Sequence, residues 1–179
     1  MRSIATRTGD DGTTGFIYGQ RVPKDHPQIE ALGAYDELNA AIGVAKSVAP
    51  HDPARASLEL IQHELIALMG ELAVAEEDAD RYAKSKFAKI TDESLARLDG
   101  LIAGLESRGL KFEGWATPGA NPFAAALDHA RTIARRAERR LVALPAQGRS
   151  VRTVVRHYAN RIADLLWLLA RQAENDPKA

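Results

Sequence analysis

Arg131, Arg135 and Arg139 recur at steps of four in the run Arg131-Thr-Ile-Ala-Arg-Arg-Ala-Glu-Arg139, inside a stretch otherwise rich in alanine and leucine. A helix advancing about 100° per residue carries all three, with Glu138, on one stripe roughly 100° wide. Beside that stripe runs an apolar face of Leu127, Ala130, Ala134, Ala137 and Leu141. Like charges four residues apart repel by about 0.2–0.5 kcal/mol, a cost that a bound anion removes. Polyphosphate is the natural class, because guanidinium forks match phosphate oxygens. A solvated face steadied by Glu138 is the plain alternative, and the helix alone leaves both open.

A second candidate lies near the N-terminus. Thr6-Arg7-Thr8-Gly9-Asp10-Asp11-Gly12-Thr13-Thr14-Gly15 combines glycines, which let the backbone approach a ligand, with hydroxyls and an arginine suited to phosphate. It is not a P-loop, having no Gly-Lys-Ser/Thr, and it lacks the acidic spacing of an EF-hand. A flexible terminal loop is the competing reading. Lys24, after Val22-Pro23, is a further possible phosphate contact or a solvated lysine. Asp36 sits among apolar neighbours and needs a partner if buried, for which an arginine of the later helix would serve. Asn160 and Asp164 lie one turn apart, suited equally to a ligand or to an inter-helix hydrogen bond. The five histidines are scattered. Glu59 to His63 is not the repeated Glu-x-x-His signature of ferritin-like di-iron bundles, and no Ser/His/Asp constellation can be assembled.

Helices must position these groups. The first ~27 residues read as loop with a short hairpin around Phe16–Tyr18. A first helix runs from about Pro27 to Val48. Asp52-Pro53 supplies a cap and first helical position for a second helix, striped by Leu58, Ile61, Leu65, Leu68 and Leu72. Residues 77–89, with Lys84, Lys86 and Lys89, read as an exposed, mobile connection. Thr91 caps a third helix with the stripe Leu95, Leu98, Ile102 and Leu105, ending near Gly109. A loop over Lys111–Ala120 leads to Asn121-Pro122, which opens the arginine-bearing fourth helix to about Leu144. After a break at Pro145–Gly148, Val151, Val154, Val155, Tyr158, Ile162, Leu165, Leu166 and Leu169 mark a fifth. The fold class expected is all-α: an antiparallel five-helix bundle over residues 28–175, with a Gly/Thr-rich loop over 1–27, in a single domain.

Composition limits the alternatives. The 179 residues are 45% hydrophobic and 27% charged, ordinary for a globular domain. Formal net charge is zero, so there is no broad field for nucleic acid or an anionic membrane, and an anion site must be a local cluster. Without cysteine there is no disulfide, iron–sulfur cluster or thiolate zinc site. The N-terminal Met-Arg-Ser-Ile-Ala-Thr-Arg has no apolar signal core, and no run approaches the ~18 apolar residues of a membrane span. A cytoplasmic protein is expected.

Taken together, Thr6–Thr14 with Gly19–Lys24, the segment Glu30-Ala-Leu-Gly-Ala-Tyr-Asp-Glu-Leu-Asn39, Arg131–Arg139 and Tyr158–Asp164 resemble the PduO-type ATP:cob(I)alamin (corrinoid) adenosyltransferases in order and spacing. The resemblance implies a homotrimer with each active site at a subunit interface and ATP held between neighbouring copies. It implies nucleotide-binding roles for Thr6, Arg7, Thr8, Gly9, Thr14, Lys24, Arg135, Arg136, Glu138, Arg139 and Asn160. An ion pair of structural and catalytic importance maps onto Asp36 and Arg131, and the corrin-facing aromatic onto Trp115. Trp115-Ala-Thr-Pro-Gly-Ala120 departs from the commoner Phe-x-Leu-Pro-Gly-Gly by a tryptophan, Thr117 and Ala120. Ala163 stands where the family often has serine.

The implied reaction transfers the 5′-deoxyadenosyl group of ATP to the cobalt of cob(I)alamin or a precursor, releasing triphosphate. The cobalt is the nucleophile, so no side-chain nucleophile is needed; Asp36, Arg131 and Arg135 are the expected catalytic groups. Magnesium is expected through the ATP phosphates, and no protein metal ligand is assigned. A flavoprotein-type reductant is implied, and a cobalamin-dependent mutase is a possible recipient of product. The alternative is an adenosylcobalamin carrier with little turnover, against which stands the retained triphosphate loop.

Overall fold

Short-range chemistry sets where the helices begin. In the computed structural model, which describes residues 5–50, 52–110 and 115–175, helix α1 (Pro27–Ser47) starts behind His26, whose Nδ1 accepts from the Gln28 amide at 3.2 Å. Helix α2 spans Asp52–Leu72, and a short helix α3 spans Ala79–Ala83. Thr91 caps α4 (Asp92–Glu106): its hydroxyl accepts from Ser94 N–H, and the Thr91 amide donates back to Ser94 Oγ. Asn121 caps α5 (Pro122–Ala143), accepting from the Ala124 amide at 2.8 Å, with Pro122 in the first turn where a missing N–H costs nothing. A 3-10 turn, Leu144–Gln147, closes on Gly148 at φ +81°, and α6 follows over Thr153–Asn175.

The protein is thus mostly helical, with six helices and one two-stranded ribbon among the described residues. The neighbours α1/α2, α1/α5 and α5/α6 run antiparallel, as their cross-links show. Gln62 donates to the Asn39 carbonyl and Gln28 to the carbonyls of Leu72 and Val74. Arg140 pairs with Glu30 and Arg136 with Glu37; Asn121 donates to the Ala173 carbonyl and Asn160 to Glu138. The core lies where α5 meets α1 and α6, along a seam of small side chains: Ala31, Ala34, Ala41 and Ala45, then Ala130, Ala134 and Ala137, then Ala159, Ala163 and Ala170, all buried. Methyl-sized contacts let the three helices approach closely and give each guanidinium on α5 a fixed base.

Two polar ties cross this core from α2. Glu64 accepts from Tyr158 Oη at 2.6 Å and from Arg97, joining α2, α6 and α4. Burial and the Glu64 carboxylate push the Tyr158 hydroxyl far above its usual range, so it stays a donor. Glu71 takes both forks of Arg152, at 2.9 and 2.6 Å, and the Ile90 amide at 3.0 Å. Arg149 donates to the carbonyls of Glu71 and Val74, satisfying groups that the end of α2 leaves open.

The structure amends the sequence reading between α2 and α4. A sixth helix, α3, and a 3-10 turn at Glu76–Asp78 occupy the stretch expected to be a mobile connection. The reason is Tyr82, 5% exposed, whose hydroxyl donates to the Ala88 carbonyl and stands so close to Gly70 that a Cβ there would meet it at 2.8 Å. Of the expected loop over Lys111–Ala120, residues 111–114 lie outside the described residues, as does the Asp52 side chain expected to cap α2.

Candidate nucleotide and corrinoid site

The N-terminal segment is a built turn. Strands β1 (Thr13–Gly15) and β2 (Arg21–Pro23) pair antiparallel with Thr14 opposite Val22, around the Phe16–Tyr18 turn anticipated from sequence. Arg21 organises the residues before it, donating to the Thr8 carbonyl at 2.5 Å and to Thr13 Oγ1 at 2.9 Å. Thr6 and Thr8 share a hydroxyl hydrogen bond of 2.9 Å. Arg7, between them, has φ +58°, alone in that region among the described non-glycine residues. Hydrogen bonds from the Thr13 hydroxyl and amide, with Arg21 nearby, hold the Asp11 carboxyl below its usual range. Lys24 folds back over Gly9, where a Cβ would stand 3.1 Å from the Thr13 carbonyl oxygen and 3.2 Å from Nζ, a tight fit that a side chain there would have to relieve. The loop leans on the end of α2 and on residues 73–81 beyond it: Ile17 N–H donates to the Ala73 carbonyl, Gln20 to Asp78, and Arg81 lies 3.9 Å from the Tyr18 ring centroid.

On α5 the arginines divide by partner. Arg135 is exposed and makes no side-chain ion pair among the described residues; Arg139 reaches only the Arg135 carbonyl, at 3.3 Å. Arg136 is paired with Glu37 of α1. Glu138 accepts from Asn160 Nδ2 at 3.2 Å, and Arg161 donates to Asn160 Oδ1 at 2.9 Å. A shallow cleft of about 270 Å³ is lined by Glu37, His129, Thr132, Ile133, Arg136 and Arg139. The Tyr35 hydroxyl of α1 is buried without a hydrogen-bond partner among the described residues, and burial with the nearby Glu138 charge raises it far above its usual range.

The expected pairing of Asp36 with Arg131 is corrected within the chain. Asp36 is exposed, because the 100° step turns it away from the face that buries Tyr35 and Leu38. Arg131 is held instead by Asp128, three residues before it, whose Oδ1 accepts from Arg131 Nε at 3.0 Å while Oδ2 accepts from Arg171 Nη2 at 2.5 Å. Asp128 and Arg171 are each 2% exposed.

Trp115 is fully exposed, in the loop ahead of α5. Gly119 follows at φ +113°, which a glycine alone adopts readily. Sequence reasoning passed over His129 and Thr132, yet the steps 129, 132, 136 and 139 are helical and place them on one face. It also passed over Arg21 and Asp128. For Asp128 the signal was present, an aspartate three residues before an arginine; for Arg21 it was not.

A sequence profile of the cobalamin adenosyltransferases matches residues 4–173. The chain belongs to the cobalamin adenosyltransferase family. The corrinoid adenosyltransferase PduO of Salmonella typhimurium is 41% identical over 174 residues, covering 97% of this chain and 50% of its own length. The corrinoid adenosyltransferase of Bacillus subtilis is 38% identical over 94% of this chain and 84% of its own. The chain spans about half the length of the Salmonella relative and of the Citrobacter freundii PduO. Among solved structures, a phenylalanine-to-histidine variant of a PduO-type ATP:corrinoid adenosyltransferase from Lactobacillus reuteri, complexed with cobalamin and ATP, superposes with a TM-score of 0.86. It is 31% identical, over 97% of this chain and 91% of that one. An arginine-to-lysine variant from the same organism, complexed with ATP, gives 0.83.

Proposed function

We propose that this chain transfers the 5′-deoxyadenosyl group of ATP to the cobalt of cob(I)alamin or a related corrinoid. In that step a cobalt–carbon bond forms at C5′, the C5′–oxygen bond breaks, and triphosphate leaves with the bonding pair. The observation that carries the reading is the unneutralised guanidinium edge of Arg135 and Arg139, beside the Glu138–Asn160 pair. Cationic donors fixed before reaction stabilise charge gathering on a leaving group without reorganising. Thr6, Arg7, Thr8, Gly9, Thr14 and Lys24 form the other wall around the phosphates, with Arg136 released from Glu37 when nucleotide arrives. Among the described residues no cluster of three or more His, Cys, Asp or Glu is placed to hold a metal, so magnesium is expected to ride on the phosphates. When bound it offsets their charge.

The proposal includes a homotrimer, and the chain's own geometry supports the sharing of a site between copies. The loop leans on α2 and the 73–81 segment, whereas the arginine edge belongs to α5. A site using both is completed by a neighbouring copy. Asp36, exposed and unpaired among the described residues, then meets the free end of Arg131 across the interface. Trp115 supplies an apolar wall for the corrin, which discourages a lower axial ligand on Co(II) and eases its reduction by a flavoprotein-type partner. The family bundle is then the five long helices over residues 28–175, served by the 1–27 loop in one domain. No described helix is long and apolar enough to cross a membrane; a cytoplasmic site of action, with product passed to a mutase, completes the proposal.

The test is incubation of the purified protein with ATP, magnesium and chemically reduced cobalamin. Equimolar adenosylcobalamin and triphosphate are expected. Tight binding of adenosylcobalamin with no triphosphate released would sink the enzyme reading in favour of a carrier.

A further inference from the structure

We infer that Asp128, locked to the buried Arg171, is a positioning residue that presents the free end of Arg131 to the reacting site. The inference rests on the adenosyl-transfer reading and deepens it. Arg131 uses one of its donors, Nε, on Asp128. Its terminal nitrogens make no other hydrogen bond or ion pair among the described residues, and its side chain is 24% exposed. A flexible side chain is thus pinned near its tip while the outer edge of the fork stays unspent, the arrangement that lowers the ordering cost when a carboxylate or phosphate docks.

Asp128 can hold that pin because it is itself immobile. Its second oxygen is taken by Arg171, whose guanidinium is further held by Glu174 at 2.8 Å and lies 5.7 Å from the Trp167 ring centroid. The Arg171 carbonyl also accepts from Asn175 Nδ2 at 2.8 Å. Glu174 reaches the same Arg171 nitrogen that holds Asp128 Oδ2, so the guanidinium is fixed between two carboxylates. The anchor therefore couples the end of α6 to the middle of α5, 43 residues apart in sequence. A purely structural ion pair needs only Asp128 and Arg171; the partly exposed Arg131 added to it is what assigns a role in the site.

A double-mutant cycle separates positioning from structure. Asp128→Asn is expected to lower kcat by up to about 100-fold, the scale of a small misplacement of a reacting group. In an Arg131→Ala background the same change is expected to add nothing further. Because Asp128→Asn strands Arg171, the double variant Asp128→Leu with Arg171→Met provides a folded apolar replacement and should show the same kinetic loss. Losses that multiply with Arg131→Ala, or a variant with normal kcat and only a lower Tm, overturn the proposal. If the wild-type chain makes neither adenosylcorrinoid nor triphosphate, the reaction is wrong, and the pin is read separately from the Arg131 Nε–H resonance. Slow exchange in the wild type that is lost in Asp128→Asn supports it; unchanged exchange overturns it.

Discussion

Arg149 and Arg152, at the mouth of α6, and Arg135 and Arg139, on the outer side of α5, are the same side chain in opposite circumstances. The first pair is largely committed. Arg152 gives both forks to Glu71 and a further bond to the Ile90 carbonyl, while Arg149 closes the Glu71 carbonyl of α2 and the Val74 carbonyl beyond it and reaches Glu76. The second pair has carbonyl contact at most and no carboxylate partner among the described residues. Clustered arginine is therefore not itself a sign of anion binding; what matters is how many donors remain unspent after folding. Arg131 stands between the two cases, with one donor committed.

Replacing a free arginine and a spent one should break opposite properties. Arg135→Ala is expected to lower kcat for adenosyl transfer by roughly 100- to 1000-fold, the usual cost of removing one preorganised donor to a developing anion, with Tm little changed. Near-normal turnover would remove its leaving-group role and with it the contrast. Arg152→Ala should do the reverse. It leaves Glu71 short of two hydrogen bonds, costs about 2 kcal/mol and lowers Tm by roughly 4–8 °C, while KM for ATP holds. A raised KM there would mean that the committed cluster also serves the nucleotide.

Trp115 sharpens the contrast from a third position, since it is fully exposed and supports nothing in the chain. Trp115→Ala is expected to leave Tm unchanged and raise KM for corrinoid about tenfold, as loss of an aromatic contact worth ~1.4 kcal/mol predicts. Persistence of the four-coordinate Co(II) spectrum in that variant would detach Trp115 from the lower face. The smallest effect is set by pH. Hydrogen bonds from Ser150, with Arg149 beside them, hold the Glu76 carboxyl below its usual value of 4.5. Its contribution is therefore present above that value and lost as pH falls through the lower, folded one. Glu76→Gln should be less stable than wild type at pH 7, with the gap closing on acidification. A gap that persists to pH 2 would show that the carboxylate's charge is not the cause.

How much was legible depends on the range of each interaction. Caps at Thr91 and Asn121 act within three residues, and the apolar stripes repeat within a turn, so the long helices could be read directly. The ribbon at Thr13–Pro23 was legible for the same reason. Helix α3 was not, because its charged residues outnumber the single Tyr82 that packs against Gly70, and nothing local announces that contact. The burial of Asp36 could not be read from its apolar neighbours along the chain, because its phase on α1 turns it to solvent. Arg171 was invisible as the partner of Asp128, since which arginine fills a buried carboxylate is decided by how α5 and α6 dock. Of the site, the loop and the α5 stripe could be read from residue types; the division of the arginines into spent and free could not.

The alanine seam between α1, α5 and α6 carries one further consequence. Ala130, Ala134 and Ala137 are fully or almost fully buried, and Arg131, Arg135 and Glu138 each come directly after one of them. The seam is a gauge: its methyl groups set the height at which the charged row stands above the neighbouring helices. Enlarging Ala134 to leucine would act as a shim, lifting the row with every charge intact, so the volume of a residue that touches no substrate sets the focus of the site.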